Sequence, residues 1–329
     1  MPYARHRRAA VEAVIAASHL CRAVQARLVA GTTLEKGDKS PVTVADFGAQ
    51  AVVSHLLGEA FPNVPLVGEE DAEALREAGN EALKDKVLLG VESVLAGLTE
   101  AQVLGAIDRG TYEGGGEGRH FALDPIDGTK GFLRLDQYAV ALALIEDGKV
   151  VLGVLGCPNM PVDAAEPDGA KGCIFVAVKG EGAVMRTLDD PMEHPIQVDS
   201  ASDFGSVRFC ESVEKAHTNQ SHSALVAEKL GITLPPFRID SQCKYAAVAR
   251  GDAAVYLRLP TMEGYVEKIW DHAAGWAVIT EAGGRVTDCR GEELDFSVGR
   301  GLSNNTGVIV TNGPLHDEVV AAVRQVLDL

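Results

Sequence analysis

The segment LDPIDGTKGF (123–132) places Asp124 and Asp127 three residues apart around Pro125, just before Gly128. Proline fixes φ and glycine permits a tight turn, so this geometry can converge two carboxylates. Oxygen ligands of that kind suit Mg2+, which keeps several waters and is usually completed by a substrate phosphate. Thr129, directly after the turn, can start a helix whose free backbone N–H groups face an anion. Read alone, Asp124 and Asp127 would serve equally well as caps of a turn. Gly68-Glu69-Glu70-Asp71 sets three acids in a row behind an apolar stretch, a concentration of charge that calls for solvent or a cation. Asp271 in IWDHAAGWAVITEAGG and Asp46 in SPVTVAD stand at expected helix openings, where a plain N-cap is the simplest use of either. Gly283 stops the helix after Asp271.

Those carboxylates need elements to hold them. Val11, Val14, Ile15, Cys21, Val24 and Leu28 recur at helical spacing and predict an amphipathic helix over 5–30, ended by a loop with Gly37 and Pro41. A second helix is expected over 46–60, a short strand over 64–67, and charged, helix-favouring sequence over 71–109. EGGGEG (113–118) reads as a loop and lacks the GK[ST] ending of a phosphate-binding P-loop. Residues 121–123 read as a strand, and 139–145 with 150–155 as a hairpin across Asp147-Gly148. The Pro/Gly/Asp-rich stretch 158–172 marks the expected boundary between an α+β domain (1–160) and an α/β domain (161–329). Beyond it, strands near 173–178, 253–258 and 307–311 alternate with helices near 221–230, 272–282 and 314–327.

Bulk properties narrow the chemistry. With 46% hydrophobic residues in 329, the chain can bury a large core. Lys and Arg number 30 against 47 Asp and Glu, for a net charge of −17, which argues against a nucleic-acid or anionic-membrane surface. A small anion would need locally placed cations, and screening beyond roughly 8 Å lets a metal or a few basic residues override the overall field. Cysteines at 21, 157, 173, 210, 243 and 289 form no CxxC pair, so reduced, intracellular thiols are expected. No run of 18 or more apolar residues spans a membrane. Arg5, Arg7 and Arg8 are followed too soon by Glu12 and His19 for a secretory leader, which leaves a cytoplasmic compartment, with an organelle-targeting role open.

Read together and in order, SPVTVAD (40–46), VGEE (67–70), LDPIDGT (123–129) and WDHAAG (270–275) resemble the signature set of the lithium-sensitive, Mg2+-dependent inositol monophosphatase-like phosphatases. Within that superfamily the chain is similar to the 3′(2′),5′-bisphosphate nucleotidases, through SPVTVADFGAQ (40–50), DPIDGTKGFLR (124–134), SVEKAH (212–217), DSQCKYAAVARGDAAVYLRLP (240–260) and EKIWDHAAG (267–275). Simple inositol monophosphatases also join GEE to DPIDGT by a shorter segment than 71–123, and Ala216 stands where the nucleotidase motif has Gly.

The resemblance implies an αβαβα layered sandwich of mixed α/β class. It implies that Glu69, Asp124, the Ile126 carbonyl, Asp127 and Asp271 hold two or three Mg2+ ions, with Asp46 and Thr129 as the water-activating pair. Gly128, Thr129, His222, Asp240, Ser241, Lys244, Arg258 and Asp271 would bind the substrate, with Lys244 and Arg258 facing its 5′-phosphate. The implied reaction is Mg2+-dependent hydrolysis of the 3′-phosphate of adenosine 3′,5′-bisphosphate, with 3′-phosphoadenosine 5′-phosphosulfate as a further substrate and Li+ as an inhibitor. The expected partner is that small nucleotide, bound by a monomer. Two other readings stand beside it: an inositol polyphosphate 1-phosphatase or inositol monophosphatase on the same scaffold, and a non-catalytic nucleotide and metal sensor.

Overall fold

The apolar stripe near the N-terminus forms helix α1 (Ala4–Val29), which buries Ala10, Val14, Ala17, Cys21 and Val24 along one face. In the computed structural model the described residues are 2–29, 40–213, 220–262 and 264–329. Gly37 of the expected loop and residues 214–217 of SVEKAH therefore lie outside the described residues. Helix α2 (Ser40–Ala60) opens six residues earlier than expected. Pro41 fits a first helical turn, where its fixed φ is helical and its missing N–H has no partner to lose.

The next elements are β1 (Leu66–Gly68), α3 (Glu73–Arg76), α4 (Glu81–Glu92), α5 (Glu100–Asp108), β2 (Arg119–Asp127) and α6 (Thr129–Leu133). Strands β3 (Ala139–Glu146), β4 (Lys149–Pro161), β5 (Lys171–Val178), β6 (Gly182–Thr187) and β7 (His194–Ile196) follow, and complete a seven-stranded sheet in the order β1 to β7. Within this sheet β1 and β2 pair in parallel, and the other described strands form an antiparallel meander. The β3–β4 hairpin turns at Asp147 and Gly148, both at positive φ (50° and 71°), as the sequence predicts.

The second half contributes β8 (Phe209–Glu211), α7 (Gln220–Leu230), β9 (Phe237–Arg238), α8 (Cys243–Ala249), β10 (Val255–Arg258), α9 (Ala273–Glu281), β11 (Arg285–Thr287), β12 (Val308–Thr311) and α10 (His316–Val326). Its five strands order as β11-β12-β10-β8-β9. The Pro/Gly/Asp-rich stretch around 160 is not where one sheet gives way to the next. Cys157 pairs with Cys173 and Pro161 with Lys171 across it, so it joins two neighbours of one sheet, and the change comes between Ile196 and Phe209. A hairpin loop and an interdomain linker draw on the same turn-forming residues, and composition cannot separate them.

Alternation along β3 builds the layers. Val140, Leu142 and Leu144 face the core under α1 and α2, while Ala139, Ala141 and Ala143 face α8 and α9. The small side admits a close helix: a Cβ on Gly153 would stand 2.6 Å from the Ala274 carbonyl. The five-stranded sheet packs on the far side of α8 and α9, and α7 and α10 cover its outer face through Val226, Val319 and Val323. The result is the expected αβαβα sandwich. All six cysteines are free and buried, and no described helix is long and apolar enough to cross a membrane.

Candidate active site

The parallel register of β1 and β2 pairs Gly68 with Leu123, so Glu69 and Asp124 emerge side by side at the next step. Asp127 would point to the opposite face of a regular strand, because it lies an odd number of residues from Asp124. The pairing shifts between Asp124↔Ala141 and Asp127↔Ala139: three steps on β2 span two on β3. This bulge, at Pro125 and Ile126, returns Asp127 to the side of Asp124. The convergence that sequence assigns to a tight turn is thus made inside the strand. Ile126 buries its side chain in the core beneath α1 and α2. Gly128 takes φ 91°, and a Cβ there would meet Ser241 Cβ at 2.8 Å.

Neither helix-cap reading holds. Asp46 lies in the body of α2 and is buried, because that helix starts at Ser40. Asp271 lies one residue ahead of the cap position of α9, which His272 occupies without a side-chain cap bond. Both acids turn toward the cluster instead. Burial, then the charges of Glu70 and Glu69, push Asp46 well above the usual carboxylate range. Burial and Glu69, Asp127, Asp271 and Asp46 do the same to Asp124. Asp127 is raised by burial and Asp271, against Lys244 and Arg258. Glu69, exposed on its flank, is pushed up to about 7 by desolvation and by Asp271, Glu70 and Asp127.

Asp46 Oδ1 and Asp124 Oδ1 are buried with no hydrogen-bond partner among the described residues. Unpaired carboxylate oxygens in a cluster of like charge are unfavourable unless a cation neutralises them. An all-oxygen donor set of Glu69, Asp124, Asp127 and Asp271 fits a hard divalent ion such as Mg2+. Thr129 begins α6, a helix packed against α2, and lines the adjoining cleft.

That cleft is lined by Asp127, Gly128, Thr129, Lys130, Asp240, Ser241, Lys244, Arg258 and Asp271. Lys244 is buried in the first turn of α8 with Nζ 5.2 Å from the Tyr256 ring centre; burial lowers its pKa, while Asp127 opposes the shift. Burial works against the Arg258 charge, yet Glu267 at 2.8 Å and Asp271 at 3.4 Å hold its pKa well above the ordinary value. Ser241 sits at φ 65° and gives its hydroxyl to the Asp240 carbonyl at 2.5 Å. Asp240 spends its oxygens on the wall: Oδ1 accepts from Ser212 Oγ (2.8 Å) and Val213 N (3.0 Å), and Oδ2 pairs with Arg134. His222, in the first turn of α7, is not among the described residues that line the cleft.

Three further residues hold the site together. Gln50, one turn after Asp46 and fully buried, brackets Glu70 by donating to its carbonyl (2.5 Å) and accepting from its N–H (3.0 Å). The i, i+4 spacing from Asp46 was the available signal. The backbone N–H of Gln242 donates to Asp127 Oδ2 (2.5 Å), and its side chain joins the Trp270 carbonyl (2.8 Å) to the Gly275 N–H (3.0 Å). Glu267 pairs with Arg258 and accepts from His272 Nε2 (3.1 Å), whose Nδ1 then accepts from Tyr245 Oη (2.7 Å). Burial opposes the Glu267 charge, but His272 and Arg258 outweigh it and bring its pKa down to about 2. Glu267, Asp271 and His272 offer ligand atoms within 4.8 Å of one another, and there Arg258 already supplies the positive charge.

The inositol monophosphatase family model matches residues 4–328. A 3′(2′),5′-bisphosphate nucleotidase of Oryza sativa is 46% identical, over 99% of this chain and 95% of the relative. One from Schizosaccharomyces pombe is 45% identical, over 99% and 97%. Among solved structures, the inositol monophosphatase from Anabaena superposes with a TM-score of 0.64 at 20% identity, over 99% of this chain and 97% of that one.

Proposed function

This chain belongs to the inositol monophosphatase family, and we propose that within it the chain is a 3′(2′),5′-bisphosphate nucleotidase that hydrolyses the 3′-phosphate of adenosine 3′,5′-bisphosphate to AMP and phosphate. One observation carries the substrate choice: Lys244 and Arg258 line the same cleft as Asp127 and Asp271. A substrate with two separated phosphates satisfies both ends, one at the carboxylate cluster and one at the basic wall. A singly phosphorylated polyol would leave the buried Lys244 without an anion. The full-length identity of 45–46% to nucleotidases points the same way, whereas the inositol monophosphatase likeness is one of fold. A sensor without turnover gives no use for a buried Asp46 with an unpartnered oxygen.

Glu69, Asp124, the Ile126 carbonyl, Asp127 and Asp271 are our assignment for two or three Mg2+ ions. When bound, these supply the charge that neutralises the carboxylates, polarises the phosphoryl group and stabilises the departing ribose oxygen. Asp46, with its raised proton affinity and its unpartnered Oδ1, takes the proton from the attacking water, which the Thr129 hydroxyl orients. Lys244 and Arg258 fix the 5′-phosphate and so align the 3′-phosphate with the cluster. Asp240 shapes the wall rather than meeting the ligand directly. The same pocket accepts a 5′-phosphosulfate as a further substrate, and hydrolysis of adenosine 3′,5′-bisphosphate gives the enzyme a role in clearing the by-product of sulfation and sulfate reduction. Li+ competes at a cation position, and buried free thiols suit a reducing compartment such as the cytoplasm.

The test is phosphate release from adenosine 3′,5′-bisphosphate, inositol 1,4-bisphosphate and inositol 1-phosphate, each with Mg2+ and with EDTA. Mg2+-dependent preference for the nucleotide is expected. Preference for an inositol phosphate would overturn the pocket assignment, and nucleotide binding without turnover would overturn the enzyme.

A further inference from the structure

We propose that Arg300 is a positioning residue that sets the separation of Glu69 and Asp271, two carboxylates of the cluster that come from different layers. Its guanidinium donates to three carbonyls: Nη2 to Gly68 (2.6 Å), and Nη1 to Gly110 (3.2 Å) and Tyr112 (3.0 Å). The same group lies 4.8 Å from the centre of the Trp270 ring. Gly68 immediately precedes Glu69, and Trp270 immediately precedes Asp271. One side chain from the β11–β12 connection therefore grips the residue before each acid.

The backbone around Arg300 strengthens this grip. Its carbonyl accepts from the Ile269 N–H (3.1 Å), Leu302 N–H donates to the Glu267 carbonyl (2.8 Å), and Lys268 bridges to Gly301. The segment that leads into Asp271 is thereby laid against the segment that carries Arg300. On the other side, Gln50 fixes Glu70 from within the N-terminal layer. Arg300 is what reaches across to Gly68 from the second layer.

The chemistry of the side chain matters. Among the described residues no carboxylate lies within ion-pair distance of Arg300, so its charge rests on carbonyl dipoles and an aromatic face. A planar fork can meet three carbonyls and stack on indole together; a lysine ammonium offers no planar group to do both. Outer contacts of this kind commonly change metal affinity 10- to 100-fold when removed. A plain interlayer staple would instead lower stability and leave cation binding alone.

This inference rests on the reading of Glu69 and Asp271 as cation ligands, and the experiment separates the two. Mn2+ binding to the substrate-free full chain is measured by electron paramagnetic resonance of the free ion, for wild type, Arg300→Met, Arg300→Lys and Trp270→Leu. Melting temperature and phosphate release are followed in parallel. For Arg300→Met, roughly 10- to 100-fold weaker Mn2+ binding is expected. The Mg2+ concentration for half-maximal turnover should rise by the same factor, with KM for the nucleotide at saturating Mg2+ within about twofold. Arg300→Lys and Trp270→Leu should shift Mn2+ affinity in the same direction by less, and decide the matter if Arg300→Met does not fold. Mn2+ affinity within about twofold of wild type in a folded variant would overturn the role of Arg300. A wild type that binds no Mn2+ would overturn the cation reading itself, and this inference with it.

Discussion

Replacing Asp124 with Asn should separate stability from activity in opposite directions. The side chains are close in size, so packing around this buried position is conserved. Two like charges 4 Å apart at an effective dielectric of about 20 repel by about 4 kcal/mol. Asp124 feels Glu69, Asp127, Asp271 and Asp46, but Glu69, pushed up to about 7, is already partly protonated near neutrality in the metal-free cluster. The remaining gain from an amide is about 1–2 kcal/mol. With about 2.1 cal/mol/K per residue over 329 residues, the entropy of unfolding is about 0.7 kcal/mol/K, so the metal-free variant should melt about 1.5–3 °C higher than wild type. Mg2+ at about 100 times its Kd should stabilise wild type by about 2.7 kcal/mol, near 4 °C, and the variant by much less. Turnover should fall by about a thousandfold, or about 4 kcal/mol. Calorimetry with EDTA and with Mg2+, beside a phosphate-release assay, reads all three quantities. A metal-free melting point lowered by more than about 2 °C would restore Asp124 to a structural turn cap. A full Mg2+ shift with turnover within about tenfold would remove it from the cation site.

The same cluster predicts a pH signature: folded Glu69 titrates near 7, above its unfolded value of 4.5, so the metal-free protein gains stability as pH falls from about 7 toward 4.5, and the melting shift due to Mg2+ shrinks over that window. Lys244→Met should raise KM for adenosine 3′,5′-bisphosphate by about 10- to 150-fold, with much less effect on 3′-AMP, because a charged hydrogen bond to the second phosphate is worth about 1.5–3 kcal/mol. His120 and His316 are lowered to about 4, chiefly by burial, so unfolded chains bind protons first and stability falls as pH drops from about 6.5 to 4. Neither ring nitrogen of His120 has a partner among the described residues, so metal-free His120→Phe should match wild type near pH 7.5 and exceed it at pH 5 in urea titrations. A Cβ on Gly275 would stand 2.3 Å from Tyr245 Cγ, so Gly275→Ala should cost about 3 kcal/mol and lower the melting point by about 4 °C.

What sequence made legible depended on how far the cause lay from the residue. The hairpin at Asp147-Gly148 and the strand at 308–311 were readable because turn chemistry and apolar runs act over a few neighbours. The four acidic motifs were readable as a set, although the local logic proposed for them was wrong in two places. Read locally, Asp46 and Asp271 stand at helix caps, yet one lies inside its helix and the other ahead of its own. Asp124 and Asp127 converge through a bulge against β3, which only pairing can show. Gln242 lies inside a quoted motif and Arg300 outside all of them, yet neither position discloses its work, because their partners are carbonyls and N–H groups of distant segments, which every sequence has.

The placement of Asp271 shows why such residues matter. Glu69 and Asp124 are fixed relative to each other by hydrogen-bonded register, which leaves little freedom between adjacent strands. Asp271 shares no sheet with them. It arrives at the head of α9, and the height of α9 above the first sheet is set by Ala139, Ala141, Ala143 and Gly153, which let the helix backbone approach closely. Relative to Asp127 it is held by Gln242, which ties Asp127 to the Trp270 carbonyl and the Gly275 N–H. A helix packed on small residues is close but has few ridges to stop it sliding. Directional hydrogen bonds across the layer therefore do what side-chain interlocking does elsewhere. In this protein the clustered carboxylates are legible as motifs, while the distance between them is held by polar side chains whose partners no motif reveals.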